Sequence, residues 1–277
     1  MLTHENYHSL EMNTKYWGSS SYKHFAGCPG IPGCETAALA TMRGEWEDLT
    51  TEEKKAGGKK AFKLGHYLDA AFTGDIDLFV ARHPEIISTR GETKGQLKAD
   101  YRHADDVIER LREDQFFMDR LIGEKQKIFT GEMFGVQWKI CLDCYLKGVH
   151  ITDFKYMAEI NKRFWVKDTG TTNYIDFYGY DIQAAIYQEI VYINTGERLP
   201  FYHAVADKTN PYPNYAIIQI PDELIKDRLM EIESNMPRLM QVKSGELEPD
   251  RCGDCNYCIK TKRLDRAIMP NEIQPGS

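Results

Sequence analysis

The chain has 277 residues, long enough to bury a sizeable core, and its 42% hydrophobic and 28% charged residues exclude wholesale disorder. No run approaches the ~18 apolar residues of a membrane span, and "MLTHENYHSLEMN" lacks an apolar signal-peptide core, so the expected address is the cytosol. A net charge of −7 disfavours a surface that coats nucleic acid broadly, while leaving room for a local basic groove.

Taken in chain order, "GSSSYKHFAG" reads as a Ser-capped helix, "CPGIPGC" as a Gly/Pro loop, and "ETAALATMRGEW" as a resumed helix. A helix is expected over 59–72, stopped by Gly74, and a strongly periodic one in "KADYRHADDVIERLREDQFFMDRLIG", closed by Gly123. The character then changes. Aromatic and β-branched residues punctuated by Gly131, Gly135 and Gly148 predict three antiparallel strands at 125–133, 136–146 and 149–155. "NKRFWVKDTGTTN" is a polar connection to a helix over 174–194, ended by Gly196. A strand pair around an Asn-Pro turn follows in "FYHAVADKTNPYPNYAIIQI", then a long helix that Pro237 could kink, then a cysteine-rich tail. One domain is the simplest organisation, with a helical part at 15–123, an α/β core at 124–220 and a C-terminal helix and tail at 221–277.

The second and third strands, "WKICLDCYLKGVHITDFK", carry Asp143, Asp153 and Lys155. Alternation puts Asp153 and Lys155 on one side, and a turn at Lys147-Gly148 sets residue 143 opposite 152 or 153, which brings Asp143 beside Asp153 unless the register slips by one. Two adjacent carboxylates repel unless a proton or cation lies between them. A hard cation such as Mg²⁺ satisfies both and leaves room for water and phosphate, and a nearby lysine can orient an attacking water. The competing reading is a solvated hairpin edge with one salt bridge. Further on, "YDIQAAIYQEI" places Gln183 and Tyr187 one turn apart on one helix face, with Asp176 and Tyr180 extending it and Ile182, Ile186 and Ile190 on the core side.

A carboxylate strand, a D-x-K strand and then Q-x-x-x-Y on a helix resembles the RecB-like branch of the PD-(D/E)XK nuclease superfamily. The likeness covers about residues 15 to 265 and is strongest to phage and prophage nucleases of the exodeoxyribonuclease VIII (RecE) type. It implies a restriction-endonuclease-like α/β core, a mixed sheet flanked by helices, with a helical N-terminal part and a Cys-rich tail. It also implies metal (Mg²⁺ or Mn²⁺) on Asp143 and Asp153, Glu132 as the acid on the preceding strand, and Lys155 as the water-positioning group. Gln183 and Tyr187 would orient substrate. The family's metal-binding histidine, four residues after a helical glycine, corresponds here to Asp69 in "GHYLDAAF", which runs from Gly65; His66 falls out of register and reads as structural.

"RCGDCNYCIK" brings Cys252, Cys255 and Cys258 together in a C-x-x-C-x-x-C loop that suits zinc or an iron–sulfur cluster, either of which needs a fourth ligand. Some RecB-like nucleases take that ligand from an N-terminal helix, which implies a [4Fe–4S] cluster here, completed by Cys34 or alternatively Cys28. Cys141 and Cys144 read as packing residues. The basic-aromatic stretch Lys162, Arg163 and Trp165 is the preferred DNA contact, and Lys260, Lys262, Arg263 and Arg266 form either a phosphate contact or a solvated tail.

The function so implied is a Mg²⁺-dependent exonuclease on duplex DNA ends, 5′ to 3′, supplying single strands to an annealing protein in phage recombination. A single-strand-trimming or endonucleolytic enzyme is the second reading. A catalytically silent DNA-end-binding module held by its cysteine centre is the third. A homo-oligomer fits the resemblance, and no membrane partner is expected.

Overall fold

A computed structural model describes residues 1–47, 52–167, 169–264, 266, 267 and 269. The helical N-terminal part contains α1 (Leu10–Lys15), α2 (Ser19–Ala26), α3 (Glu35–Met42), α4 (Glu52–Thr73), α5 (Ile76–Arg82), α6 (Ala99–Arg112) and α7 (Gln115–Asp119). Next come β1 (Glu124–Met133), β2 (Val136–Leu146), β3 (His150–Met157), β4 (Phe164–Val166) and β5 (Gly170–Thr172). The chain continues through α8 (Tyr174–Tyr178), α9 (Tyr180–Thr195), β6 (Phe201–Asp207), β7 (Tyr215–Ile220), α10 (Asp222–Ser244) and α11 (Asn256–Lys260). Among the described residues no helix is long and apolar enough to cross a membrane.

The main sheet has the order β1-β2-β3-β6-β7, antiparallel except for the parallel β3–β6 pair. Helices cover both faces, which requires both faces to be apolar. Ile140, Leu142, Ile151 and Phe201 join Ile182, Ile186 and Ile190 of α9 and Ile232 and Met236 of α10 in one core. Ala204 and Ala206, with Phe154 and Tyr156, meet Leu64 and Leu68 of α4 and Ile108 and Leu111 of α6 in the other. On β3, Phe154 and Tyr156 therefore take the α4 side, and alternation turns Asp153 and Lys155 towards α9.

The three expected strands agree with β1–β3 to within two residues. Elsewhere local chemistry divides what periodicity alone joins. The helix expected to close at Gly123 is two, because Asp114 accepts the Phe117 N–H at 3.0 Å and starts α7 afresh. The helix expected over 174–194 is also two. Asn173 caps α8 by accepting the Ile175 N–H at 2.8 Å, and Gly179 ends it at φ +62°. A Cβ there would lie 2.8 Å from Lys23 Cδ and 2.9 Å from Cys28 Cβ, so only glycine fits this turn. Asp176 therefore belongs to α8 and does not extend the Gln183 face. The polar connection contains the β4–β5 hairpin, with Asp168 outside the described residues. α4 begins earlier than expected, α1 and α5 were not foreseen, and α10 runs on through Pro237.

One departure from regular pairing positions the site. β2 and β3 pair only through Cys144–Thr152, Tyr145–Ile151 and Leu146–His150; beyond these β2 continues against β1, and β3 against β6. The strands fork, and Asp143 and Asp153 are the first residues past the last pair. At the same point Leu142 and Tyr145, three apart, bury in one core, so the side-chain alternation resets between them. Opposite, on β1, Gln126 takes a left-handed φ of +51°.

Candidate active site

A fork frees backbone groups that a ladder would pair, and side chains replace the partner strand. Asp143 Oδ2 accepts the Phe154 N–H at 2.9 Å, which ties β2 to β3 across the cleft. Gln126 Nε2 donates to Asp143 Oδ1 at 3.3 Å and to Asp69 Oδ2 on α4 at 3.1 Å. From the other side of the sheet, Gln183 Nε2 on α9 donates to Asp153 Oδ1 at 2.9 Å. Lys155 Nζ lies 2.6 Å from Asp153 Oδ2, an ion pair to a buried carboxylate. Asp69, Gln126, Asp143 and Lys155 line a cleft of about 890 Å³, with His4, Phe62 and His66 on its walls.

The electrostatics follow from crowding. Burial and the charge of Asp153, with Asp69 adding to them, push the Asp143 carboxyl up to about 7, although Lys155 and the Phe154 N–H act against the shift. Asp69 is raised by burial first and then by Asp153. For Lys155 burial works against the charge, but Asp153 and Asp143 outweigh it and hold the ammonium above the ordinary lysine range. Burial lowers His203, the β6 partner of Asp153, to about 4.

Four of the expected residues, Asp69, Asp143, Asp153 and Lys155, thus come together, with Gln183 behind them. Glu132 does not. It sits near the β1–β2 turn, six residues along β1 from Gln126, and accepts a hydrogen bond from Gln137 Nε2 at 3.1 Å. A strand rises ~3.3 Å per residue, so that carboxylate is roughly 20 Å away. The side chain that β1 supplies instead is Gln126. Tyr187 is buried against Phe201 one turn beyond Gln183, and backs that residue without reaching the cleft wall.

Lys162 and Arg163, just before the β4–β5 hairpin, line a separate pocket with Asn173 and Tyr174, and Trp165 is exposed on β4. Phe164 stacks on Phe177 at 4.1 Å and meets Tyr178 at 5.4 Å; Tyr178 in turn lies 5.8 Å from Tyr180, whose ring is 4.9 Å from Lys155 Nζ. A continuous aromatic track therefore links the hairpin to the lysine.

The chain matches the model of a PDDEXK-like domain of unknown function (DUF3799) over residues 18–261. It belongs to this family. With the PDDEXK-like fold and its acid–acid–lysine set comes the enzyme class, a nuclease, a phosphodiester hydrolase acting on DNA. The crystal structure of a "putative exonuclease" from Eubacterium rectale is similar at 43% identity and a TM-score of 0.83, over 97% of this chain and 96% of that one. A search of curated proteins finds no match.

This PDDEXK chain also carries a cysteine cluster. Cys34, Cys252, Cys255 and Cys258 place their sulfurs within 4.8 Å of one another, the only such group of His, Cys, Asp or Glu among the described residues. Cys34 precedes α3, and Cys255 caps α11 by accepting the Cys258 N–H. Glu35 fixes the junction: it takes two hydrogen bonds from Arg238, at 2.8 and 2.9 Å, and the Asp250 N–H at 2.7 Å. Of the two candidates for fourth ligand, Cys28 lies elsewhere, its thiol 3.4 Å from the Phe177 carbonyl. Cys141 and Cys144 point to Gln126 Oε1 and the Ile122 carbonyl, outside the cysteine group.

Proposed function

We propose that the chain is a divalent-metal-dependent exonuclease that degrades duplex DNA from its ends, 5′ to 3′, and leaves single strands for recombination. The observation that carries this reading is the fork: two carboxylates and an ammonium converge where β2 and β3 separate, and Asp143 and Lys155 line an open cleft there. The donors fit Mg²⁺ or Mn²⁺ in kind. They are carboxylate oxygens, and the raised proton affinity of the Asp143 carboxyl is relieved when a cation takes the proton's place. Asp143, Asp153 and Asp69 would hold the metal, which supplies charge neutralisation at the phosphate oxygens. Lys155 would orient the attacking water, and Gln183 would keep Asp153 aimed. Lys162, Arg163 and Trp165 would grip the strand by charge and stacking. The test uses linear duplex labelled at either 5′ or 3′ ends beside a covalently closed circle. Early loss of the 5′ label with the circle intact supports the reading, and cutting of the circle moves it to an endonuclease.

The resemblance implies a [4Fe–4S] cluster at Cys34, Cys252, Cys255 and Cys258. Four thiolates suit either an iron–sulfur cluster or a single ion, and the spacing favours the latter. The Cys34–Cys258 and Cys252–Cys258 sulfurs are 3.6 and 3.9 Å apart, and a tetrahedral Zn–S₄ site with ~2.3 Å bonds has an edge of about 3.8 Å. A four-iron cluster would have to spread these sulfurs farther apart. The proposed occupant is therefore one Zn²⁺. Metal analysis giving about one zinc per chain supports it, while a brown protein with iron and acid-labile sulfide restores the cluster.

A further inference from the structure

The catalytic lysine of a D-x-K strand sits at the end of a long flexible side chain, and something must choose its rotamer. In this chain the ammonium pairs with Asp153 at 2.6 Å, and an aromatic cluster stands on its other flank. Lys155 Nζ lies 4.9 Å from the centroid of Tyr180, the first residue of α9, within cation–π range. That ring is braced on two sides. His203, beside Asp153 on the neighbouring strand, meets it edge-on at 5.4 Å, and Tyr174 does so at 5.9 Å. A second ammonium, Lys23 Nζ, is 5.4 Å from the same ring and is tied down by the Tyr178 carbonyl at 2.8 Å. The cluster is held by ring packing: among the described residues, neither His203 nitrogen nor the Tyr174 hydroxyl has a hydrogen-bond partner. Gly179 makes the arrangement possible, since its left-handed turn brings Tyr180 to the lysine.

We propose that Tyr180, braced by His203, is a positioning residue for Lys155, and that its ring face holds the ammonium beside Asp153. The proposal rests on Lys155 being the group that orients the attacking water. It predicts a dependence on the ring and not on the hydroxyl, and a dependence that vanishes with the lysine.

The test compares Y180F and Y180L on linear duplex with Mg²⁺, in the parent and in a K155A background. Y180F is expected to stay within about threefold of the parent, and Y180L to lose at least about tenfold in kcat with KM for DNA unchanged. In K155A, adding Y180L should cost nothing further, whereas a merely structural role would lower residual activity in both backgrounds. A readout independent of catalysis is the ¹³C-dimethyl-lysine spectrum, with the Lys155 signal identified by its loss in K155A. Ring-current displacement of that signal should persist in Y180F and disappear in Y180L. Should Y180L fail to fold, His203→Leu is read in the same way. Retained activity in a folded Y180L, or equal losses in both backgrounds, overturns the proposal. An inactive parent would sink the nuclease reading instead, and the spectrum would still decide whether Tyr180 holds Lys155.

Discussion

Gln183 on α9 and Asp153 on β3 are joined by a 2.9 Å hydrogen bond from the Gln183 amide to Asp153 Oδ1, made in a buried setting. It leaves the other carboxylate oxygen to the lysine. Gln183→Ala removes the restraint and strands a buried acceptor, a cost of ~1–3 kcal/mol. Cleavage is expected to fall roughly tenfold or more, with an increased Mg²⁺ requirement, in a metal titration of initial rates.

Asp69 and Glu132 make a paired test of which acid serves the site. Asp69 shares Gln126 with Asp143, whereas Glu132 is held by Gln137 at the far end of the hairpin. Asp69→Asn should lower the rate by about a hundredfold or more, a loss of ~3 kcal/mol in transition-state stabilisation. Glu132→Gln should stay within about twofold, as expected of an exposed surface change.

Without a cation, the Asp143 carboxyl is raised on folding from 3.8 to about 7. A carboxyl raised in this way keeps its proton in the native state, so the native state is favoured at acid pH. The advantage is lost as pH rises from about 4 through about 7. In Mg²⁺-free buffer this group should therefore make the protein less stable at pH 8 than at pH 5.5, by roughly 1–3 kcal/mol. Asp143→Asn should remove that contribution, and Mg²⁺ at pH 8 should restore the parent. Urea unfolding of both proteins at the two pH values checks it.

The cysteine centre joins the start of α3 to the C-terminal tail, so its loss should be felt in stability before chemistry. Cys258→Ser is expected to release the bound metal and lower Tm by roughly 5 °C or more. Cys28→Ser should leave the metal content unchanged. Metal analysis with calorimetry separates the two.

Much of this was legible in the sequence because it depends on short-range rules. The hairpin turn at Lys147-Gly148 brings Asp143 close to Asp153, a spacing of four puts Gln183 and Tyr187 on one face of α9, and C-x-x-C-x-x-C declares a thiolate loop. Gln126 could not be read, since a polar residue at positive φ in a strand carries no periodic signal and acquires meaning only where two strands part. Glu132 failed for a related reason: it lies on the expected strand, but its distance along that strand is set by where the fork falls. The division at Gly179 was hidden because both flanking segments are helical, and Asn173 as a cap is visible only once the β4–β5 hairpin is known.

The most direct test of the account is cleavage of end-labelled linear duplex DNA with Mg²⁺ by the parent protein, Asp153→Ala and Lys155→Ala, each verified as folded. The account predicts degradation by the parent and losses of about a thousandfold or more in both variants. A folded parent that cleaves neither duplex nor single-stranded DNA with Mg²⁺ or Mn²⁺, or variants that cleave as fast as the parent, would contradict it.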